Sequence, residues 1–442
     1  PLKPEYCYLR EVDYCSAACL LVRTDLFQKL KGFDELYLPA YYEDSDLCFG
    51  IWKLGYKVIF QPQVAVFHHE FGSRSFERAE ALCQINREKF EKKWVSSLSR
   101  QGLPGDVLRG RDRRQGRRVL VIDDLVPAPH LGIGLPRAHR ILEFLSELGY
   151  AVTFLPLINP TPWQPVTCQL QQMGVEVFYG DSFKPEEFLR SRSGYYDIVI
   201  VSRPHNAAKV LGLSRQCFPD ASIIYDAEAL FSLREILKAQ VERRSLTEME
   251  KRRMLKEELD LMKEADTVVT VSESEGEIIR KEGAHGDVVA WGHTHDLYAP
   301  VTPFSERRDI LFVGAFTHDH PPNIDAAVHF ATRVFPKILK KLPGCRFIIV
   351  GCQPPESVQE LASNRVIVTG FVEDLREYYE KCRVCVVPLR FGGGISYKVT
   401  EAMSYGIPTV ISTVAASGLN LRDGEEALIA NDDQEFTEKT LR

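Results

Sequence analysis

Nothing in the 442-residue sequence is long and apolar enough to cross a membrane, since no run of about eighteen apolar residues occurs. No secretory leader opens the chain, which begins PLKPEY without an initiator Met, so an upstream part is expected to be missing. Internal repeats and low-complexity tracts are absent as well. Excess charge is scarce: the net −6 gives no global reason to expect a nucleic-acid partner. The eleven cysteines are odd in number and scattered, which argues against a disulfide framework and fits reduced thiols in a cytosol. Cys382 and Cys385 are spaced C-x-x-C. With no second pair nearby and a strand pattern around them, they read as buried thiols rather than as a zinc or redox site.

What is present is a soluble globular composition, 45% hydrophobic and 26% charged, with length enough for about three domains. The most informative stretch is RVCVVPLRFGGGISYKVTEAMSYGIPTV, Arg383 to Val410. It reads as strand, glycine turn, helix, strand: a β-branched run ended by Pro388, then Gly392-Gly393-Gly394, then a helix stopped by Gly406 and Pro408. Three glycines let a backbone approach a ligand closely, and a helix N-terminus presents unpaired N–H groups and a positive dipole end. That combination suits a phosphate. Lys398, one turn in, adds a positive charge, and Glu401 can accept hydrogen bonds from ribose or sugar hydroxyls. The bland alternative is a tight connection between strand and helix.

The chain before this stretch falls into blocks. In residues 1–98, Glu43, Asp44 and Asp46 crowd three carboxylates ahead of an apolar-periodic helix from Leu47 to Leu54. They fit either helix capping or a base tuned by its like-charged neighbours. Val58 to Phe67 alternates as a strand and delivers His68-His69, of which at most one faces a ligand. Residues 99–117 are rich in Arg, Gly and Pro and read as a linker. A solvated tether is the plain reading, and peripheral contact with anionic lipid is the sharper one. From Arg118 a series of short β-branched strands alternates with helical patterns, the mark of a doubly wound parallel sheet. Gly132 and Gly134 lie in its first strand-to-helix loop, and Asp226-Ala227-Glu228 follows a later strand. Leu233 to Glu264 reads as one long helical stretch whose mixed charges form a solvated face. A second such α/β block begins at Asp309, and two histidine pairs, His293 with His295 and His318 with His320, lack a clear third metal ligand.

Two resemblances are carried by these residues. Ser16-Ala17-Ala18-Cys19, Gly32-Phe33-Asp34-Glu35, Tyr42 to Leu47, Gly55-Tyr56 and His68 resemble the second half of a family-2 glycosyltransferase of the GT-A fold. The resemblance implies Asp44 as the base that deprotonates the acceptor hydroxyl, and His68 as ligand to a catalytic Mn or Mg ion. It also implies an upstream nucleotide-binding half, without which residues 1–98 form an inactive part-domain expected to pack poorly. Residues 118–442 resemble a family-4 (group 1) glycosyltransferase of the GT-B fold, with an N-terminal lobe at 118–304 and a C-terminal lobe at 305–442. Phe312-Val313-Gly314, Val350-Gly351, Thr369 to Val372 and Pro388 through Pro408 carry that likeness.

The fold expected is therefore α/β, with two Rossmann-like lobes preceded by a partial GT-A domain. The GT-B resemblance implies a nucleoside-diphosphate-sugar donor, a glycan or lipid-linked acceptor, retention of configuration and no metal cofactor. Two fused transferases suit bacterial surface polysaccharide synthesis at a cytoplasmic, membrane-associated location. By the same resemblance Gly132, Gly134, Gly314, Gly392, Gly393, Gly394, Ile395, Lys398 and Glu401 hold the donor and His205 faces its sugar; Arg137, Arg203 and Arg234 offer additional hydrogen-bond donors to the phosphates. The sequence departs from the family where a glutamate is usual at Gly393, and where Arg and Lys usually follow Gly314. A nucleotide-sugar epimerase using Asp226 and Glu228, or a degenerate scaffold, are the alternatives.

Overall fold

The structure is a computed structural model that describes residues 3–67, 76–102, 105–113, 116–132, 134–180, 184–283, 286–316 and 321–442. His68, His318 and His320 lie outside the described residues. By compactness the chain divides into two units, residues 1–121 with 142–197, and residues 122–141 with 198–442.

Two parallel sheets dominate. One has seven strands: β3 (Arg118–Leu125), β4 (Ala151–Asn159), β5 (Glu176–Val177), β6 (Ile198–Ser202), β7 (Ser222–Glu228), β8 (Thr267–Thr270) and β9 (Asp287–Ala290). Their order is β5-β4-β3-β6-β7-β8-β9, and the division between units passes through β3. The other has six: β10 (Arg308–Val313), β11 (Phe347–Val350), β12 (Val366–Gly370), β13 (Cys382–Val387), β14 (Thr409–Ser412) and β15 (Leu428–Ala430), in the order β12-β11-β10-β13-β14-β15. Both orders are doubly wound, reversing direction between β3 and β6 and between β10 and β13. Helices cover such sheets on both faces, so central strands are apolar throughout. Ile310 to Val313, Val386, Val387, Val410 and Ile411 are accordingly all buried in one core, with Val399 and Ala402 of the helix Tyr397–Ser404 against them. Cys382 and Cys385 are buried strand thiols within this core.

The first unit also holds an antiparallel ribbon, β1 (Arg10–Glu11) with β2 (Ile59–Phe60). The expected strand from Val58 to Phe67 is thus confined to two residues. Its partner is equally short, and Pro62 lacks the N–H needed to extend the ladder. Val64, Val66 and Phe67 stand exposed beyond it. The helix Glu43–Lys53 packs nonetheless: Leu47, Cys48, Ile51 and Val58 form one small core, and Tyr37, Phe49, Phe90 and Trp94 another.

The arginine-rich segment carries a short helix, Val107–Arg111, in which Arg109 is exposed but Arg111 is not solvated. Arg111 pairs at 2.6 Å with Asp112 and at 2.7 Å with Glu176, all of them buried. Arg192 also holds Glu176 at 2.7 Å, while Tyr8 donates to Asp112 at 3.0 Å and Tyr195 donates to it too. Despite burial, the two arginines keep the Glu176 carboxyl low, at about 2.

The expected helix from Leu233 to Glu264 is broken in two, Phe231–Val241 and Glu248–Leu261. Thr247 and Glu250 form a capping box that starts the second. Glu258 is not part of a solvated face. Its two oxygens accept from Phe231 N and Ser232 N at 2.8 Å each, capping the first helix from its neighbour.

Candidate active site

The site is assembled inside the second unit, at the C-terminal ends of strands flanking both reversal points, where open α/β sheets place ligands. On the N-terminal lobe, Asp123 and Asp124 lie near the C-terminal end of β3, and β6 runs into Arg203, which precedes the helix Pro204–Cys217. Arg203 donates to Asp123 at 2.8 Å and lies 3.3 Å from Asp124 and 3.5 Å from Glu228. His205 Nε2 is 2.6 Å from Asp124, whose same oxygen accepts from Asn206 at 2.8 Å. Arg137, in the first turn of Leu135–Glu147, pairs with Asp226 at 2.5 Å and lies over the Trp291 ring. Burial, helped by Asp123 and Asp226, pushes the Glu228 carboxyl up to about 7 against the pull of Arg203 and Arg137.

The two glycine turns meet the segment Glu228–Leu230. At Gly134 (φ +80°) a Cβ would lie 2.6 Å from a Glu228 carboxylate oxygen. At Gly394 (φ +66°) it would lie 3.1 Å from the Ala229 Cβ and 3.2 Å from the Glu228 carbonyl. The positive φ at both positions favours glycine, and a Cβ would require the Glu228 side chain to shift at Gly134 and close neighbours to give at Gly394. The glycine turn after β13 is thus approached by the protein's own N-terminal lobe. Gly394 N donates to Glu275 at 3.0 Å, and the same carboxylate oxygen accepts from Leu230 N at 3.1 Å. A Cβ on Gly132 would sit 3.2 Å from Ala315, so the first loop also reaches the Gly314 turn.

On the C-terminal lobe, Ser396 precedes the helix Tyr397–Ser404 without a side-chain cap, and its carbonyl accepts from Val399 N at 3.0 Å. Lys398 donates to Asn323 at 2.7 Å, and Asn323 donates in turn to Ala315 O at 2.6 Å, beside Gly314. Burial pushes the Lys398 ammonium down to about 8. Glu401, one turn later, accepts from Tyr379 at 2.9 Å and is pushed up to about 7 by burial. Ile395 offers its carbonyl to His293, whose burial lowers it to about 4. His295 meets Thr400 at 2.7 Å instead of a metal ligand. Among the described residues no group of three or more His, Cys, Asp or Glu is arranged to hold a metal ion.

Of the residues singled out from sequence, Gly132, Gly134, Arg137, His205, Gly314, Gly392 to Ile395, Lys398 and Glu401 all fall in this unit. Asp44 belongs to the other, where its oxygens accept from Ser45 N at 2.7 Å and Ala17 N at 3.1 Å. Asp46 is structural: it accepts from Trp94 at 2.7 Å, Lys93 at 2.9 Å and Tyr37 at 3.1 Å. Sequence reasoning passed over Asp123, Asp124, Glu275 and Asn323. Only the Asp123-Asp124 pair, near the end of the first strand, left a usable signal.

Residues 307–442 match the family model described as "Glycosyl transferases group 1". The C-terminal part of the chain is a group 1 glycosyl transferase domain. Solved glycosyltransferases of the GT-B type share the fold over about three-quarters of this chain. Sucrose-phosphate synthase from Thermosynechococcus elongatus aligns with TM-score 0.55 and 19% identity, covering 74% of this chain and 89% of that one. HepE from Anabaena, in complex with UDP and glucose, aligns with TM-score 0.52 and 14% identity over 74% and 89%. In sequence, 81 residues are 35% identical to an N-acetylglucosaminyl-diphospho-decaprenol L-rhamnosyltransferase of Mycobacterium tuberculosis. That match takes in 18% of this chain and 26% of the relative's length.

Proposed function

We propose that the chain transfers a sugar from a nucleoside-diphosphate-sugar donor to a glycan or lipid-linked acceptor, with retention of configuration, in bacterial surface polysaccharide synthesis. The observation that supports this most directly is the convergence of both glycine turns on Glu228–Leu230, beside the uncapped helix Tyr397–Ser404 of the glycosyl transferase domain. Departure of a diphosphate needs negative charge stabilised where it develops. In this reading the first N–H groups of that helix and Lys398 would meet the diphosphate, and Glu401 the ribose hydroxyls. Fixed dipoles of this kind need no metal ion. HepE, solved with UDP and glucose, and a relative named for a decaprenol-linked acceptor lend support to the two substrate classes.

Under the same reading Asp44 is the base, and His68 a ligand to Mn or Mg, of a GT-A partner site completed by a nucleotide-binding half. A non-catalytic scaffold is the second reading, favoured by Gly394 N–H and Lys398 each having a protein partner. Epimerase chemistry would need Asp226 and Glu228 as an acid–base pair, whereas Asp226 is committed to Arg137.

Thermal shift against nucleoside diphosphates and their sugars, with and without manganese, tests the proposal. A ligand at about 100 times its Kd stabilises by about 2.7 kcal/mol. A manganese-independent shift with one diphosphate, lost in Glu401→Ala, supports the transferase. No shift with any of them refutes it.

A further inference from the structure

Four carboxylates and two arginines meet at the ends of β3, β6 and β7, and their arrangement is more than mutual neutralisation. Glu228 (φ +54°) and Arg203 (φ +75°) both hold left-handed backbone conformations without being glycine. Such strain persists only where the surroundings enforce it, and it concentrates at ligand sites. The pairing within the cluster is also incomplete. Arg137 Nη2, Asp226 Oδ1 and Asp123 Oδ2 have no hydrogen-bond partner, on residues only 4%, 2% and 0% exposed. Buried polar atoms of that kind are costly unless something else meets them. Glu228 is the member nearest both glycine turns. Its carboxylate lies against Gly134 and its carbonyl against Gly394, and its side chain keeps 13% of its surface open.

We propose that Glu228 binds hydroxyl groups of the transferred sugar and is a specificity-determining residue for the donor, held in place by Arg203. The assignment rests on the transferase reading. If the two glycine turns flank the diphosphate, the group attached to it lies next to Glu228. A sugar is neutral and rich in hydroxyls that both donate and accept. It therefore matches a carboxyl group, the unpartnered Arg137 nitrogen and the unpartnered Asp226 oxygen without adding charge to an already acidic cluster. The upward shift of the Glu228 carboxyl fits this role, because a protonated acid beside a diphosphate avoids like-charge repulsion and still donates a hydrogen bond. Arg203 keeps Asp123 and Asp124 as partners when Glu228 is removed, so the cluster retains its other ion pairs.

The test compares equilibrium binding of each bare diphosphate and its sugar conjugate: UDP with UDP-glucose, GDP with GDP-mannose, dTDP with dTDP-rhamnose. Wild type, Glu228→Ala and Glu228→Gln are each measured, with melting curves to establish that the variants fold. For the pair that wild type binds, Glu228→Ala should weaken the sugar conjugate by about tenfold and leave the bare diphosphate within about twofold. Glu228→Gln, which keeps hydrogen-bonding atoms in place, should recover part of the loss. Equal weakening of conjugate and diphosphate, or no weakening of either, overturns the role of Glu228 while leaving the transferase reading standing. Failure of wild type to bind any of the six ligands removes that reading, and the assignment with it.

Discussion

Glu275 is the side chain whose removal tests the assembly of the site most sharply. It projects from the helix Glu273–Lys281, is buried, and with one oxygen accepts from Gly394 N at 3.0 Å and Leu230 N at 3.1 Å. Replacing it with Ala leaves two N–H groups without an acceptor, each costing about 1–3 kcal/mol. Relief of a buried carboxyl, whose other oxygen has no partner, offsets part of that. A net loss of about 3 kcal/mol is expected, which for a domain of this size corresponds to about 6–12 °C in melting temperature. Glu275→Gln keeps the accepting oxygen and removes the charge whose burial raises the Glu275 pKa, so it should stay within about 1 kcal/mol of wild type. Calorimetric melting of the three proteins at pH 7 decides the matter. An Ala variant that melts with wild type refutes the acceptor role. A Gln variant as unstable as Ala would show that charge, and not the placed oxygen, holds the two turns together.

Stability should also depend on pH through the Tyr397–Ser404 helix. Glu401, raised from 4.5 to about 7 by burial, binds its proton more tightly folded than unfolded. Its contribution is complete below pH 4.5 and lost as pH rises through 7, so the wild-type melting advantage over Glu401→Gln should shrink across that interval. Lys398, lowered from 10.5 to about 8, acts oppositely above neutrality: stability rises from pH 8 to 10.5, and Lys398→Met should abolish that rise. Gly134→Ala places a Cβ 2.6 Å from the Glu228 carboxylate at φ +80°, and should lower the urea midpoint by the equivalent of about 2 kcal/mol or more. In the other unit, Asp46→Ala strands Trp94 Nε1 and the Tyr37 hydroxyl and should cost about 3 kcal/mol by the same measurement, whereas Asp44→Ala should cost under about 1 kcal/mol.

The doubly wound lobes were legible because each central strand is a short β-branched run, buried on both faces, and followed by a helical period. Ile310 to Val313 and Val384 to Val387 show this without any tertiary information. Where the reading failed, a local pattern was overruled by a neighbour or by chain chemistry. The alternation from Val58 to Phe67 looks like a strand, but alternation states only which face is apolar and does not supply a partner ladder. Here the partner is two residues long and Pro62 closes the option. The Leu233–Glu264 stretch carried a capping box at Thr247–Glu250 that local reasoning can find, yet uniform charge spacing masked it. The buried Glu258 cap lay beyond such reasoning, because it depends on a turn folding one helix back onto another.

The site itself divides along the same line. Glycines, Lys398 and Glu401 were visible because they sit on one contiguous strand–turn–helix. Glu275, Asn323 and Asp123 were not, since they reach their partners across 119, 75 and 80 positions of chain. Gly392-Gly393-Gly394 shows why this matters for function. Missing Cβ atoms announce a close approach but do not say what approaches, and here Ala229, Leu230 and Arg234 of the N-terminal lobe fill the space. The third glycine's N–H is likewise taken by Glu275. Under the proposed transferase reading, anion binding would fall to the uncapped start of Tyr397–Ser404 and to Lys398, whose lowered pKa reflects burial that a bound diphosphate would relieve by pairing. A ligand that restores the Lys398 charge takes up a proton as it binds. Diphosphate affinity should therefore fall as pH rises above 8, more steeply in wild type than in Lys398→Arg, whose guanidinium stays charged.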